Sequence, residues 1–139
     1  MSRGSGIRTG ACTKADARNR LKQAEACLVV SELCLDEGDD LAAPSVAAAL
    51  AVLAAVAAGD AACCHSLGLR SRAQGHSQAA VLIATVEPGG QGMAKMFSAV
   101  IAAKDASHYG LSLVDDRSAR ALVDKARALT EWARQVLAS

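Results

Sequence analysis

Within residues 67 to 83, LGLRSRAQGHSQAAVLI, two arginines and a glycine precede a histidine that opens a short apolar run. Arg70 and Arg72 bring guanidinium groups, whose forked donors suit phosphate oxygens. His76 is expected in the first turn of a helix, just after Gly75. There the free amides and the helix dipole favour anions and lower an imidazole's pKa. A neutral histidine beside an anion site is what proton transfer on a phosphodiester needs. The same spacing permits a plainer reading, in which His76 only caps the helix and both arginines are surface charges.

Two further charges bear on that choice. Leu50, Leu53, Val56 and Ala57 lead one turn later to Asp60, and Met93, Phe97 and Val100 lead one turn later to Lys104. A charge on an apolar stripe is costly unless it is paired or lines a pocket. Asp60 and Lys104 therefore either pair with each other for structure alone or line the pocket where Arg70 and His76 meet. Tyr109, one turn beyond Lys104, joins the same candidate cluster. His65 and His108 are weaker candidates, since no two histidines stand at metal-ligand spacing. No metal or cofactor is expected, and the chain has no Gly-rich phosphate loop, paired catalytic carboxylates or nucleophile elbow.

The elements that must position these residues read as helices. Leu21, Ala24, Leu28 and Leu35 recur at helical spacing and predict a first helix from Thr13 to Asp36. Pro44 suits the first turn of a second helix, which stops at Gly68. A short third helix is expected from His76 to Val86, a fourth from Gln91 to Tyr109, and a fifth from Asp116, whose carboxylate can cap it. That last helix turns Leu122, Ala126, Leu129, Ala133 and Val136 inward and leaves Arg117, Arg120, Asp124, Arg127, Glu131 and Arg134 as a solvated face. The expectation is an all-α, up-and-down bundle of four long helices plus one short one. Residues 1 to 12, Gly/Ser-rich and basic, are expected to be a disordered tail before a single domain over 13–139.

Composition narrows the function. With 139 residues the chain suits one domain that can bury a core. Only Phe97, Tyr109 and Trp132 are aromatic, and an Ala- and Leu-rich core with two prolines favours helix. Fifteen Lys and Arg against fourteen Asp and Glu exclude a broad basic surface, so any polyanion site must be local. The five cysteines form no CxxC pair, and they are expected to be small reduced core residues of a cytoplasmic protein. The apolar window from Val46 to Ala58 is too short to span a bilayer, and no membrane association is expected.

Taken together, Arg70, the five residues after it and His76, placed between the second and third main helices, resemble the Arg, four-to-six residues, His signature of the HEPN superfamily. These are the helical domains of prokaryotic toxins and defence systems. The segments GDAACCHSLGLRSRAQGH and AAKDASHYG, with Asp60 and with Lys104 and Tyr109, are similar to the flanking helix endings such proteins carry. The resemblance covers residues 13 to 138. It implies a metal-independent endoribonuclease that works as a homodimer, with the two motifs facing each other. His76 would then take the RNA 2′-OH proton or protonate the leaving oxygen, and Arg70 would hold the scissile phosphate. Arg72, Lys104 and Tyr109 would bind substrate, with Asp60 in support, and the products would end in a 2′,3′-cyclic phosphate.

Three functions stay open on the residues. The first is a ribonuclease, as the toxin or effector of a toxin–antitoxin or phage-defence system. The second is a catalytically inactive HEPN-type module that binds a nucleotide or a partner such as an antitoxin or nucleotidyltransferase. The third is a plain helical interaction domain. Converging His76 side chains in a dimer would favour the first. An Arg70–His76 pair held apart, or plugged by Asp60, would favour the second, and a monomer with both motif residues in solvent the third.

Overall fold

The computed structural model describes residues 7–37, 40–73, 76–104 and 110–139. Its elements run β1 (Thr9–Ala11), α1 (Lys14–Glu37), α2 (Ala43–Leu67), β2 (Leu69–Ser71), α3 (Ser77–Ala84), α4 (Gly90–Ala102) and α5 (Asp116–Ala138). The chain is mostly helical, as its composition requires. That agrees with the all-α class, and among the described residues the short strands β1 and β2 add an antiparallel pair that the residue pattern did not foretell.

Local chemistry sets the helix ends. Thr13 and Asp16 form a reciprocal cap at the start of α1: the Thr13 amide donates to Asp16 Oδ2 at 2.9 Å, and the Asp16 amide donates to Thr13 Oγ1 at 3.0 Å. These bonds hold the Asp16 carboxyl below its ordinary range. Gly68 ends α2 in a left-handed conformation, φ 69°, and its amide donates to the Cys64 carbonyl. The cap of α5 is Asp115 rather than the expected Asp116: its carboxylate accepts the Ser118 amide at 2.7 Å.

Helix α2 is the centre of the molecule, packed against α1 on one side and α5 on another, with α3 and α4 closing its second half. Its buried face is mostly alanine, which lets the neighbouring backbones come close. At 25 residues α2 is long and apolar enough to cross a bilayer, longer than the expected window, but 67% of its most apolar stretch is buried within the chain. Phe97, Ile83, Leu129, Val52, Val86, Val100 and Val123 fill the core around it. Burying each large apolar side chain contributes about 1.5–3 kcal/mol. The five residues expected to face inward on α5 are all buried.

The outer face of α5 is charged and exposed, and it also reaches across to α1. Arg134 pairs with Glu25, Arg127 with Glu32, and Arg120 with Asp36, at 2.8, 2.7 and 3.9 Å. These partners recur every turn or two along antiparallel helices. Such exposed pairs contribute little each, about 0–1 kcal/mol.

The N-terminal segment is where the expectations need correction. Residues 1–6 lie outside the described residues, but Thr9 to Cys12 are built into the fold rather than forming a tail. Gly10 pairs with Arg70, the Cys12 amide donates to the Gly68 carbonyl, and the Arg72 amide donates to the Arg8 carbonyl. Cys12 and Cys64 form a disulfide with their Cα atoms 5.4 Å apart, so these two are not reduced core thiols. Cys27, Cys34 and Cys63 are free. Burial, assisted by the charge of Asp60, pushes the Cys63 thiol up to about 12 and keeps it protonated.

Candidate functional site

The motif connection is held on three sides. Gly68 turns the chain out of α2, and β2 then runs through Leu69, Arg70 and Ser71 against β1. Gly10 sits opposite Arg70, and a Cβ there would come within 2.6 Å of Arg72 Cδ, so the glycine gives the Arg72 stem room to lie across β1. The Arg8 amide donates to Gln78 Oε1 at 2.8 Å, which ties the same N-terminal segment to α3.

His76 is the N-cap of α3, one residue before the helix, in a left-handed conformation with φ 65°. A non-glycine residue held there costs on the order of 1–3 kcal/mol and persists only where its surroundings enforce it. Burial lowers the imidazole pKa, the Lys104 charge lowers it further, and the Asp60 charge opposes both. The direction matches the expectation, while its main causes are burial and Lys104.

Asp60 lies on α2 one helical turn before Cys64, at the edge of the buried face, with its side chain only 12% exposed. Its Oδ2 accepts from Arg20 Nε at 3.1 Å and Nη2 at 2.9 Å, and from Arg70 Nη1 at 3.3 Å. Arg20, Asp60, Arg70, Arg72 and His76 line one cleft of about 360 Å³, with Val56 and Ala79 as apolar wall. A second cavity of about 230 Å³ lies on the other side of Arg20 and Arg70, against Asp16, Asn19 and the disulfide.

The structure thus brings together four of the expected residues: Asp60, Arg70, Arg72 and His76. Lys104 is half-buried beyond the end of α4, and its ammonium is close enough to act on His76. Tyr109 and His108 lie outside the described residues, and the fourth helix, expected to run from Gln91 to Tyr109, ends earlier, at Ala102, where the Ala103 amide donates to the Val100 carbonyl. Arg20 was not foreseen. It lies one turn from buried Ala17 and Ala24, so the reasoning that singled out Asp60 and Lys104 as charges on a stripe could have found it.

Chemically, the cleft sets three guanidinium groups and one carboxylate around an imidazole whose environment favours its neutral form. That combination can bind an oxyanion and move a proton beside it. No group of three or more His, Cys, Asp and Glu side chains comes together among the described residues. Comparison with models of known families and with curated proteins gives no match to the chain.

Proposed function

We propose that this chain is a HEPN-type up-and-down helical bundle that cleaves RNA without a metal, as a homodimer in the cytoplasm. The observation that carries the reading is the single cleft shared by His76, Arg70 and Arg72. Neutral His76 takes the 2′-OH proton while water protonates the leaving 5′-oxygen, or its protonated form gives that oxygen a proton while water takes the one from the 2′-OH. The 2′-oxygen attacks phosphorus as the P–O5′ bond breaks, giving a 2′,3′-cyclic phosphate and a 5′-hydroxyl. Arg70 offsets charge on the phosphate as it develops, and Arg72 holds the flanking backbone. Lys104 adds positive potential and, after burial, favours the neutral form of His76, and Asp60 orients the arginines; Tyr109, outside the described residues, is assigned to substrate binding by the HEPN resemblance alone.

The exposed apolar residues support the dimer. Val46 and Leu53 are about half exposed and stand seven residues apart on the stripe that ends at Asp60, and Val81 is exposed on α3. A second copy covering that stripe would shelter the cleft from water and bury more than roughly 1,000 Å² in total. A toxin–antitoxin or phage-defence role follows from the activity, and an antitoxin or nucleotidyltransferase partner would act by covering the same cleft.

One observation favours a second reading. Asp60 already holds Arg70, as a binding module without catalysis would have it. Incubating the purified protein with single-stranded RNA in EDTA, beside His76→Ala, separates the two. Cleavage by wild type alone supports the ribonuclease; binding without cleavage by either protein supports the module.

A further inference from the structure

The charges around Asp60 are unequal partners. Arg20 gives Oδ2 two donors, at 3.1 and 2.9 Å, while Arg70 gives one at 3.3 Å. Charge-assisted N–H···O bonds run about 2.7–2.9 Å, so the Arg20 contact is a full one and the Arg70 contact is long. The two arginines also differ in mounting. Arg20 rises from the 24-residue α1, is 28% exposed and spends its remaining contact on Gln23. Arg70 stands on a three-residue strand with its side chain 48% exposed.

We propose that Arg20 is a positioning residue which, by taking the Asp60 carboxylate, leaves the Arg70 guanidinium available to a phosphate in the cleft. The inference rests on the phosphodiester reading of that cleft. A buried carboxylate facing a single arginine holds it in a tight pair, and that arginine then binds an incoming anion only by breaking the pair. With Arg20 as the main partner, Asp60 is satisfied and Arg70 exchanges a long, half-exposed contact for the phosphate. Removing Arg20 turns the whole of Asp60 onto Arg70. Arg70 is then lost to the ligand although it is still present.

The test is a cycle of four proteins: wild type, Arg20→Gln, Asp60→Asn and the double variant, each checked for helix content. The probe is a short 2′-O-methylated oligoribonucleotide, which has no 2′-OH to attack, and its Kd is read by fluorescence anisotropy. In parallel, the rate at which phenylglyoxal modifies Arg70 is read by fragment mass spectrometry without any RNA. Arg20→Gln is expected to weaken binding by about tenfold, the worth of one charge-assisted hydrogen bond, and to slow modification of Arg70. Asp60→Asn placed on top restores both, because the competing carboxylate is gone. If Arg20 touched the ligand directly, or merely braced α1 on α2, the double variant would bind as weakly as Arg20→Gln, and the inference would be overturned. Should Arg20→Gln fail to fold, Arg20→Lys keeps the charge, loses the two-donor grip and is read by the same signs. If wild type binds no oligonucleotide, the phosphodiester reading fails by itself. Arg70 reactivity unchanged across the cycle overturns the role given to Arg20 in either case.

Discussion

Arg70 Nη1 stands 3.3 Å from Asp60 Oδ2, so the arginine of the motif is anchored to the helix that precedes it. The carboxylate is nearly buried and the arginine half exposed, and the two sides of this contact should therefore respond unequally. Asp60→Ala removes the acceptor of both Arg20 and Arg70 and is expected to cost about 1.5–3 kcal/mol. At about 2–4 °C per kcal/mol for a domain near this size, its melting temperature falls by several degrees. Arg70→Ala, an exposed partner, costs less than about 1 kcal/mol. Thermal melts of the two variants check the order; an Asp60→Ala protein that melts like wild type would show that the cluster contributes nothing to stability.

The disulfide makes a prediction of its own. Cys12 and Cys64 close a loop across 52 positions and fasten β1 beside β2. Thiol titration of the denatured, unreduced protein should find the three free cysteines, and five after reduction. A loop of this size contributes about 2–4 kcal/mol in the chain-entropy account, so dithiothreitol should lower the melting temperature, and Cys12→Ser should abolish that response. Five thiols in protein taken directly from cells would show the pair reduced there. Because cytosolic proteins keep thiols reduced as a rule, the same count tests the cytoplasmic placement.

His76 gives the account a pH dependence with a definite sign. Its folded pKa lies below the ordinary imidazole value, chiefly through burial and then Lys104. The unfolded chain therefore takes up the proton first as pH falls. The stability tied to neutral His76 is present above about pH 6.5 and is lost as pH drops through the lower folded value. His65 is lowered in the same direction, by burial and then by Lys14 and Arg18, so part of the acid loss belongs to it. His76→Asn keeps a residue that accepts a left-handed backbone and should flatten the acid limb of the melting curve. An identical pH dependence in wild type and variant would mean that His76 titrates as it does in water.

Arg72 should behave differently from Arg70. It is exposed, lies with its stem against Gly10 and lines the cleft. Arg72→Ala is expected to weaken RNA binding without changing the cleavage step, and lower salt should recover it. Each phosphate contact to a single strand contributes about −0.7 to the slope of log K against log salt, and the variant's slope should be shallower by that amount. A loss of rate that salt does not recover would place Arg72 with Arg70 and His76 instead.

What could be read from the residues followed from signal length. Helix α5 carries a clear apolar repeat over more than twenty residues, α2 is a long alanine-rich run between Pro44 and Gly68, and Gly68 marks a left-handed stop that few other residues accept. Strands β1 and β2 have only three residues each, TGA and LRS, too few to show alternation, and their pairing depends on contacts across 60 positions. The disulfide was hidden for the same reason, since cysteine spacing does not state connectivity. In the site, the charge on the α2 stripe identified Asp60, but its partner Arg20 comes from a helix forty residues earlier. Only the antiparallel packing of α1 on α2 sets the two side by side.

The most direct test of the central claim is the chemistry of the product ends. Wild type and His76→Ala are incubated with single-stranded RNA in EDTA, and the fragments are analysed by mass spectrometry. If His76 moves the proton and Arg70 stabilises the phosphate, wild type releases 2′,3′-cyclic phosphate and 5′-hydroxyl ends. His76→Ala and Arg70→Ala are then slower by about 10²- to 10⁴-fold. Equal cleavage by wild type and His76→Ala, or products ending in a 5′-phosphate, would contradict the mechanism.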